Sequence, residues 1–198
     1  MKERGMIFNG EMVRAILDGR KTQTRRIMKN QPAGDFAETP ALVRSVGDGF
    51  QWHGHYGESS IFNCPLGTVG DRIWVRETYG DCGVRLVYRA DTDDGAKCKV
   101  NRWTPSIHMP RWASRILLEI TDVRVEKLAS VSDEEAGKEG YPADPSPFGG
   151  RMDKWLWFRQ LWDSIYPEQS FKHNPWVWVI EFKVVPNVPA NSTWSDIR

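Results

Sequence analysis

Apolar positions fall in short, separate blocks along this chain, and each block carries its own period. Met12, Val13, Ile16 and Leu17 make two i,i+4 pairs on one face, which predicts a short helix capped by Asn9 and stopped by Gly19. Arg20-Lys21-Thr22-Gln23-Thr24-Arg25-Arg26 follows, and its β-branched threonines suit an extended segment. After the Gly70-Asp71 turn, Ile73 and Val75 alternate with Arg72, Trp74 and Arg76. That predicts a strand over 72–78, with 84–89 as its hairpin partner across Gly80-Asp81-Cys82-Gly83. Ile116, Leu118 and Ile120 alternate in a strand beginning at Ser114, and the phase slips through Thr121-Asp122 to Val123 and Val125, the mark of a bulge. Ser132-Asp133-Glu134-Glu135 reads as a capping box that opens a helix ending at Gly140. Asp153 opens another, with Trp155, Phe158, Trp162 and Ile165 on one face and Pro167 closing it. Last, Trp176, Trp178, Ile180 and Phe182 alternate with Val177, Val179, Glu181 and Lys183, a strand buried strongly on one face and partly on the other.

Strands outnumber helices, and strand and helix do not alternate as a doubly wound sheet requires. The expected class is α+β, mainly β: a small mixed or barrel-like sheet with helices packed on it. The 198 residues suit one domain over 1–198, with an insertion or ordered loop at 30–68 and an irregular tail at 186–198. With 40% hydrophobic residues and no apolar run approaching the ~20 needed for a membrane span, the composition is that of an ordinary globular chain. The polar start Met1-Lys2-Glu3-Arg4 does not read as a signal peptide. Three widely spaced cysteines, Cys64, Cys82 and Cys98, argue against a disulfide framework and for reduced thiols in the cytoplasm. A zinc site from His53, His55 and Cys64 would need a distant fourth ligand, so no metal or other cofactor is expected.

Charge changes the picture. Lys and Arg total 27 against 26 Asp and Glu, which argues against bulk attraction to nucleic acid. The balance hides segregation, however: residues 1–29 hold eight basic side chains against three acidic, and Arg102, Arg111 and Arg115 fall in a stretch without acids at 101–115. Local basic surfaces can therefore exist on a neutral molecule. No P-loop, GxGxxG, GxSxG or HExxH string is present, which removes the main supports for the corresponding enzymes. The cationic segment at 20–26 suits a phosphate or nucleobase site, with Arg and Lys as donors and Thr as donor or nucleophile; an exposed basic strand is the alternative.

The string Gly19-Arg20-Lys21-Thr22-Gln23-Thr24-Arg25 resembles the GxKxxxxR-type motif of the ASCH domain, a relative of the RNA-binding PUA domain. The layout also resembles the longer ASCH proteins of phages and prophages of enterobacteria. Supporting strings are Pro65-Leu66-Gly67-Thr68-Val69-Gly70-Asp71-Arg72-Ile73-Trp74-Val75-Arg76-Glu77, Ser106-Ile107-His108-Met109-Pro110-Arg111-Trp112-Ala113, and residues 176–182. The resemblance implies a PUA-like β-barrel with flanking helices and a basic cleft near the first motif, in a protein of the bacterial cytoplasm. It implies RNA or a modified nucleoside as partner, with no role for a membrane. It also implies an amidohydrolase related to the one that removes the acetyl group of N(4)-acetylcytidine. By that likeness Lys21 and Thr24 match two catalytic residues, and aligning 128–140 brings Glu139 to the third. Thr24 would attack the carbonyl, Lys21 would activate its hydroxyl, and Glu139, at a helix C-terminus that disfavours a carboxylate, would protonate the leaving amine. A strict strand would put Lys21 and Thr24 on opposite faces, so a turn or bulge after Gly19 is required.

Beside this trio, Arg20, Arg25 and Arg26 are expected to contact nucleic acid, as are Arg111, Trp112 and Arg115 in the loop punctuated by Pro105 and Pro110. Of the ten tryptophans, Trp155, Trp162, Trp176 and Trp178 fall on buried phases. A non-catalytic RNA-binding module, a nuclease using the same cleft and a phage-assembly interaction protein are the competing readings.

Overall fold

The computed structural model of the chain describes residues 1–36, 38–94, 100–143, 150 and 152–187. Its strands, in chain order, are β1 (Glu3–Ile7), β2 (Gln23–Ile27), β3 (Leu42–Val46), β4 (Gly49–Gly54), β5 (Gly57–Glu58), β6 (Arg72–Arg76), β7 (Tyr79–Asp81), β8 (Leu86–Tyr88), β9 (Trp103–Thr104), β10 (Leu117–Lys127) and β11 (Trp176–Val185). Among the described residues three α-helices accompany them: α1 (Gly10–Leu17), α2 (Asp133–Lys138) and α3 (Asp153–Ile165).

Five strands make the principal sheet in the order β1-β6-β10-β11-β2. The β1–β6 pair is parallel and the other pairings are antiparallel. The architecture is mainly β with flanking helices, as the layout of the sequence implies. Helix α1 connects the two edge strands, and Arg26 reaches across from β2: its Nη2 donates to the Ile7 carbonyl at 3.2 Å while its guanidinium lies 5.5 Å from the Phe8 ring centre. A side chain rather than a strand ladder thus links the two edges among the described residues.

β11 lies at the middle of the fold because it is apolar on both faces. Trp176, Trp178, Ile180 and Phe182 enter one core with Val13, Ile16, Ile73, Val75 and Leu118. Val177 and Val179 enter a second with Leu128, Phe158, Trp162 and Phe171. Both valines are fully buried, so the second face is more deeply covered than its alternation suggests, α2 and α3 supplying the cover. Each large side chain buried this way contributes roughly 1.5–3 kcal/mol. The phase slip in β10 is a bulge, with the register against β11 shifting between Ile120 and Asp122. α1 is capped as expected, Asn9 Oδ1 accepting from the Met12 amide at 2.8 Å, but Leu17 closes the helix exposed.

Four features differ from the sequence reading. β1 is a strand, although Glu3-Arg4-Gly5-Met6-Ile7 carries too little alternation to announce one; its partner β6 supplies the ladder. Both edges of β6 are taken, by β1 and β10, so the hairpin partner of β8 is β7. The segment expected as a loop at 30–68 contains a three-stranded sheet, β3-β4-β5. Its tight Gly47-Asp48 turn uses the positive φ of Gly47 (59°), and its Phe50 ring packs 5.4 Å from Trp178 of the core. Cys64 is a buried free thiol, but Cys82 is disulfide-bonded, which corrects the expectation of reduced thiols throughout. Spacing along the chain sets no limit on how closely two cysteines meet in space. Cys98 and most of the tail at 186–198 lie outside the described residues.

Candidate functional site

The basic segment is stitched by its backbone to the end of α2. Lys21 forms an isolated antiparallel bridge to Glu139, and the Thr22 amide donates to the Lys138 carbonyl at 3.0 Å. The end of α2 is placed there by its capping box, in which Ser132 accepts from the Glu135 amide and Glu135 reaches back to the Ser132 amide. Gly140 allows the close approach: its φ is +105°, and an added Cβ would lie 3.0 Å from the Ala15 Cβ and 3.3 Å from the Lys21 Cβ. Residues 118 positions apart thus meet.

What they form is a buried ion cluster. Lys21 Nζ donates to the Glu139 carbonyl at 2.8 Å and to Glu139 Oε2 at 3.0 Å. Arg25 Nη1 donates to the other carboxylate oxygen at 3.1 Å, while Nη2 pairs with Glu126 at 3.3 Å and Glu135 at 3.5 Å. The Lys21 and Arg25 side chains are fully shielded from solvent. Burial pushes the Lys21 amine below its ordinary range; Glu139 resists that shift, and the charges of Arg26 and Arg25 add to it. The cluster continues outward through Arg124, whose guanidinium binds Asp122, Glu126, Glu135 and Glu181 at 2.6–2.9 Å. The expected meeting of Lys21 and Glu139 is therefore direct.

Thr24 is placed otherwise. β2 keeps an unbroken register with β11 from Gln23 to Ile27, so side chains alternate without a slip. Gln23 bonds the Glu135 carbonyl and Arg25 bonds Glu139, on the α2 side. Arg26 faces Phe8, on the other. Thr24, buried, belongs to the Arg26 face. The turn after Gly19 orients Lys21 toward Glu139 without bringing Thr24 along.

Glu139 also borders a cleft of about 350 Å³. Arg20 and Trp157 stand on its walls, with Asn9, Glu11 and Met12 at the end nearest α1. Arg20 is anchored at the rim, donating to the Tyr141 carbonyl at 2.7 Å and pairing with Asp18 at 2.7 Å. Trp157 is half-buried, its ring edge-on to Tyr141 at 5.6 Å. The sequence pattern passes over Trp157 because it lies beside the stripe of Phe158 and Trp162 and packs only at the margin of the second core; an aromatic flanking that stripe was the available signal.

The other expected contact residues divide. Arg25 is enclosed by carboxylates and offers nothing to a phosphate outside, and Arg115 is also engaged, gripping Glu77 at 2.9 and 3.1 Å and Asp91 at 2.6 and 2.8 Å. These two depart from the expected nucleic-acid role because each was needed to neutralise a carboxylate in a poorly solvated place; burial pushes the Glu77 carboxyl up even with Arg115 opposing. Arg111 pairs with Glu3 at 2.9 Å and bonds Asn187 at 3.0 Å. Trp112 beside it is 71% exposed. His53 pairs with Glu58 at 3.3 Å, and among the described residues no three His, Cys, Asp or Glu side chains are grouped to hold a metal. No helix among the described residues is long and apolar enough to cross a membrane.

No protein-family model and no curated protein matches the chain. Among solved structures, it is similar to an ASCH domain from Lactobacillus crispatus JV V101, at 14% identity and a TM-score of 0.44, over 92% of this chain and 79% of that one. It is also similar to a DUF984 protein from Enterococcus faecalis V583, at 9% identity and a TM-score of 0.44, over 98% of this chain and 86% of that one.

Proposed function

We propose that the protein binds RNA or a modified nucleoside, with one base seated in the cleft between Trp157, Arg20 and Glu139. The observation that carries this reading is a cleft bordered by Glu139 and walled by Trp157 and Arg20. A cavity of about 350 Å³ lies at the lower end of the ~300–1,000 Å³ usual for small-ligand sites. Each Glu139 oxygen already accepts from one cation, and each retains acceptor capacity. An exocyclic amino group of a base is the matching donor. Trp157 offers a stacking face, worth roughly 1–3 kcal/mol per base, and Arg20 offers donors at the rim.

A second reading, hydrolysis of the amide of an acylated cytidine, is favoured by one observation: a buried amine whose ionised form is disfavoured lies 3.0 Å from a carboxylate. Such a pair holds a carboxylate in a fixed place beside the cleft. In this reading Glu139 takes a proton from water as the water oxygen bonds to the acyl carbon. The C–N bond then breaks, and the proton is returned to the leaving amine, giving a carboxylic acid and cytidine. Lys21 and Arg25 position Glu139. Thr24 faces away from Lys21, so water is the more economical nucleophile.

Both readings are tested by titrating the full chain with cytidine and N(4)-acetylcytidine in a calorimeter and following cytidine release by chromatography. Saturable binding that falls about tenfold or more in Trp157→Ala is expected. No heat at millimolar nucleoside would sink the binding reading, and binding without product release would remove hydrolysis alone.

A further inference from the structure

A second cleft, of about 470 Å³, opens on the other side of Asn9 and Met12, which border both. It runs along β1 past Gly5 and Ile7 to Ile165 and Tyr166 near the end of α3. Two of its lining residues are charged, Arg26 and Arg76, and none is acidic.

These two guanidiniums differ from those of Arg25, Arg115 and Arg124 in what they bind. Arg25, Arg115 and Arg124 are each enclosed by two or more carboxylates. Arg26 bonds the main-chain carbonyls of Ile7, at 3.2 Å, and Arg25, at 3.5 Å. Arg76 bonds the carbonyls of Ser106, at 3.1 Å, and Ile107. Among the described residues neither has a carboxylate partner. Each is also held over an aromatic ring, Arg26 over Phe8 at 5.5 Å and Arg76 over Trp74 at 5.4 Å. Carbonyls and rings fix a guanidinium's orientation without cancelling its net charge. A guanidinium carries five donors, and two of them are used in each case. Two oriented, uncompensated cations therefore face a cleft that shares Asn9 and Met12 with the base cleft.

We infer that Arg26 and Arg76 form an anion subsite for the phosphate of the ligand whose base occupies the Trp157 cleft. This rests on the nucleoside-binding reading and narrows it: the ligand is a nucleotide, as a monophosphate or within an RNA strand, and not a free nucleoside. Arginine is the residue suited to this task, because its planar fork matches phosphate oxygens in pairs. The shared Asn9 and Met12 put this cleft next to the base cleft rather than at a remote surface.

The experiment is calorimetric titration of the full chain with cytidine, its 5′- and 3′-monophosphates, a three-residue oligoribonucleotide and inorganic phosphate, at two ionic strengths. Expected is at least tenfold tighter binding of one monophosphate than of cytidine. That advantage should vanish in the Arg26→Gln, Arg76→Gln double variant while cytidine affinity stays unchanged. It should also shrink with salt in the wild-type protein, a readout independent of any variant. Equal advantage for a monophosphate and the oligoribonucleotide marks a mononucleotide ligand; a further gain for the oligoribonucleotide marks the phosphodiester of a strand. Equal binding of cytidine and every phosphorylated form, insensitive to salt, overturns the anion subsite and leaves the base cleft standing. Phosphorylated ligands that bind through Arg26 and Arg76 while cytidine does not would uphold the subsite and overturn the base cleft. Absence of binding by all of them overturns both.

Discussion

Arg25 and Arg26 adjoin in β2 and meet opposite surroundings. Arg25 is buried among Glu139, Glu126 and Glu135, with its guanidinium 5.7 Å from the Phe158 ring centre. Arg26 crosses the open edge of the sheet onto a main-chain carbonyl and the Phe8 ring, above a cleft without acids. Strand alternation alone separates them. A run of cations in sequence is thus two populations in space, one consumed in building the fold and one left to act on something else. The near-zero net charge of the chain, 27 basic against 26 acidic residues, conceals this division, because nearly all the acids that balance β2 stand on its Arg25 side.

The sharpest test of that division is stability. Arg25→Ala takes from the buried Glu139 carboxylate one of its two cations, with Lys21 left on Glu139 and Arg124 on Glu126 and Glu135, and removing one partner of a buried ion cluster costs about 3 kcal/mol or more. Arg26→Ala removes a cation held by a carbonyl and a ring, for which about 1 kcal/mol or less is expected. Urea denaturation of both variants measures the difference. Equal losses would mean that the two arginines share one role, and the comparison would collapse.

Binding should invert the order. Trp157→Ala, which leaves the ion cluster untouched, is expected to weaken nucleoside binding by about 1–3 kcal/mol, roughly five- to a hundredfold. Because the half-buried ring also packs against the second core, some stability is lost too, and the loss of binding should exceed it. A variant that loses binding only in proportion to its lost stability would place Trp157 in the scaffold instead.

Acid titration separates the arginines more gently. Burial alone would raise the Glu135 carboxyl, but the Ser132 amide, Arg25 and Arg124 together hold it below its ordinary range. A depressed carboxylate stabilises the fold above its unfolded-state pKa, and that contribution disappears as the pH falls through the folded value. Stability should therefore decline from about pH 5 to about pH 3, around and below the usual glutamate range. The decline should be shallower in Arg25→Ala, where one source of the depression is gone, and unchanged in Arg26→Ala. Parallel pH profiles in all three proteins would show that the Arg25 charge is not felt at Glu135.

Some of this organisation was legible before the structure. The capping box of α2, the bulge in β10 and the double burial of β11 are written in four to ten consecutive residues, so local hydrogen bonding and alternation suffice to expose them. The pairing of Lys21 with Glu139 was reachable only through resemblance, since the two lie 118 positions apart. What stayed hidden depends on partners that sequence order does not supply. β1 is a strand because β6 lies beside it, not because Glu3-Arg4-Gly5-Met6-Ile7 alternates. Arg25 and Arg26 look identical in a charge count, and Arg76 was hidden as the polar face of a predicted strand. The turn at 106–108 and the ring of Trp74 give its charge a fixed direction.

The smallest expected effect concerns Trp112, which extends the contrast to the far side of β1. Its neighbour Arg111 resembles Arg25 in having a carboxylate partner, Glu3 at 2.9 Å, but the pair is partly exposed and worth at most about 1 kcal/mol. Trp112 itself, 71% exposed, buries little surface, so Trp112→Ala should change stability by no more than about 0.5 kcal/mol. It stands outside both clefts around Asn9, and mononucleotide affinity should be unchanged. An oligoribonucleotide long enough to leave the Arg26–Arg76 cleft can stack a further base on it, and there a loss of several-fold in affinity is expected. If Trp112→Ala weakens a mononucleotide as much as a longer strand, the ring acts through the clefts. The division of β2 into a structural and a binding face would then have to be redrawn to include the loop at 106–113.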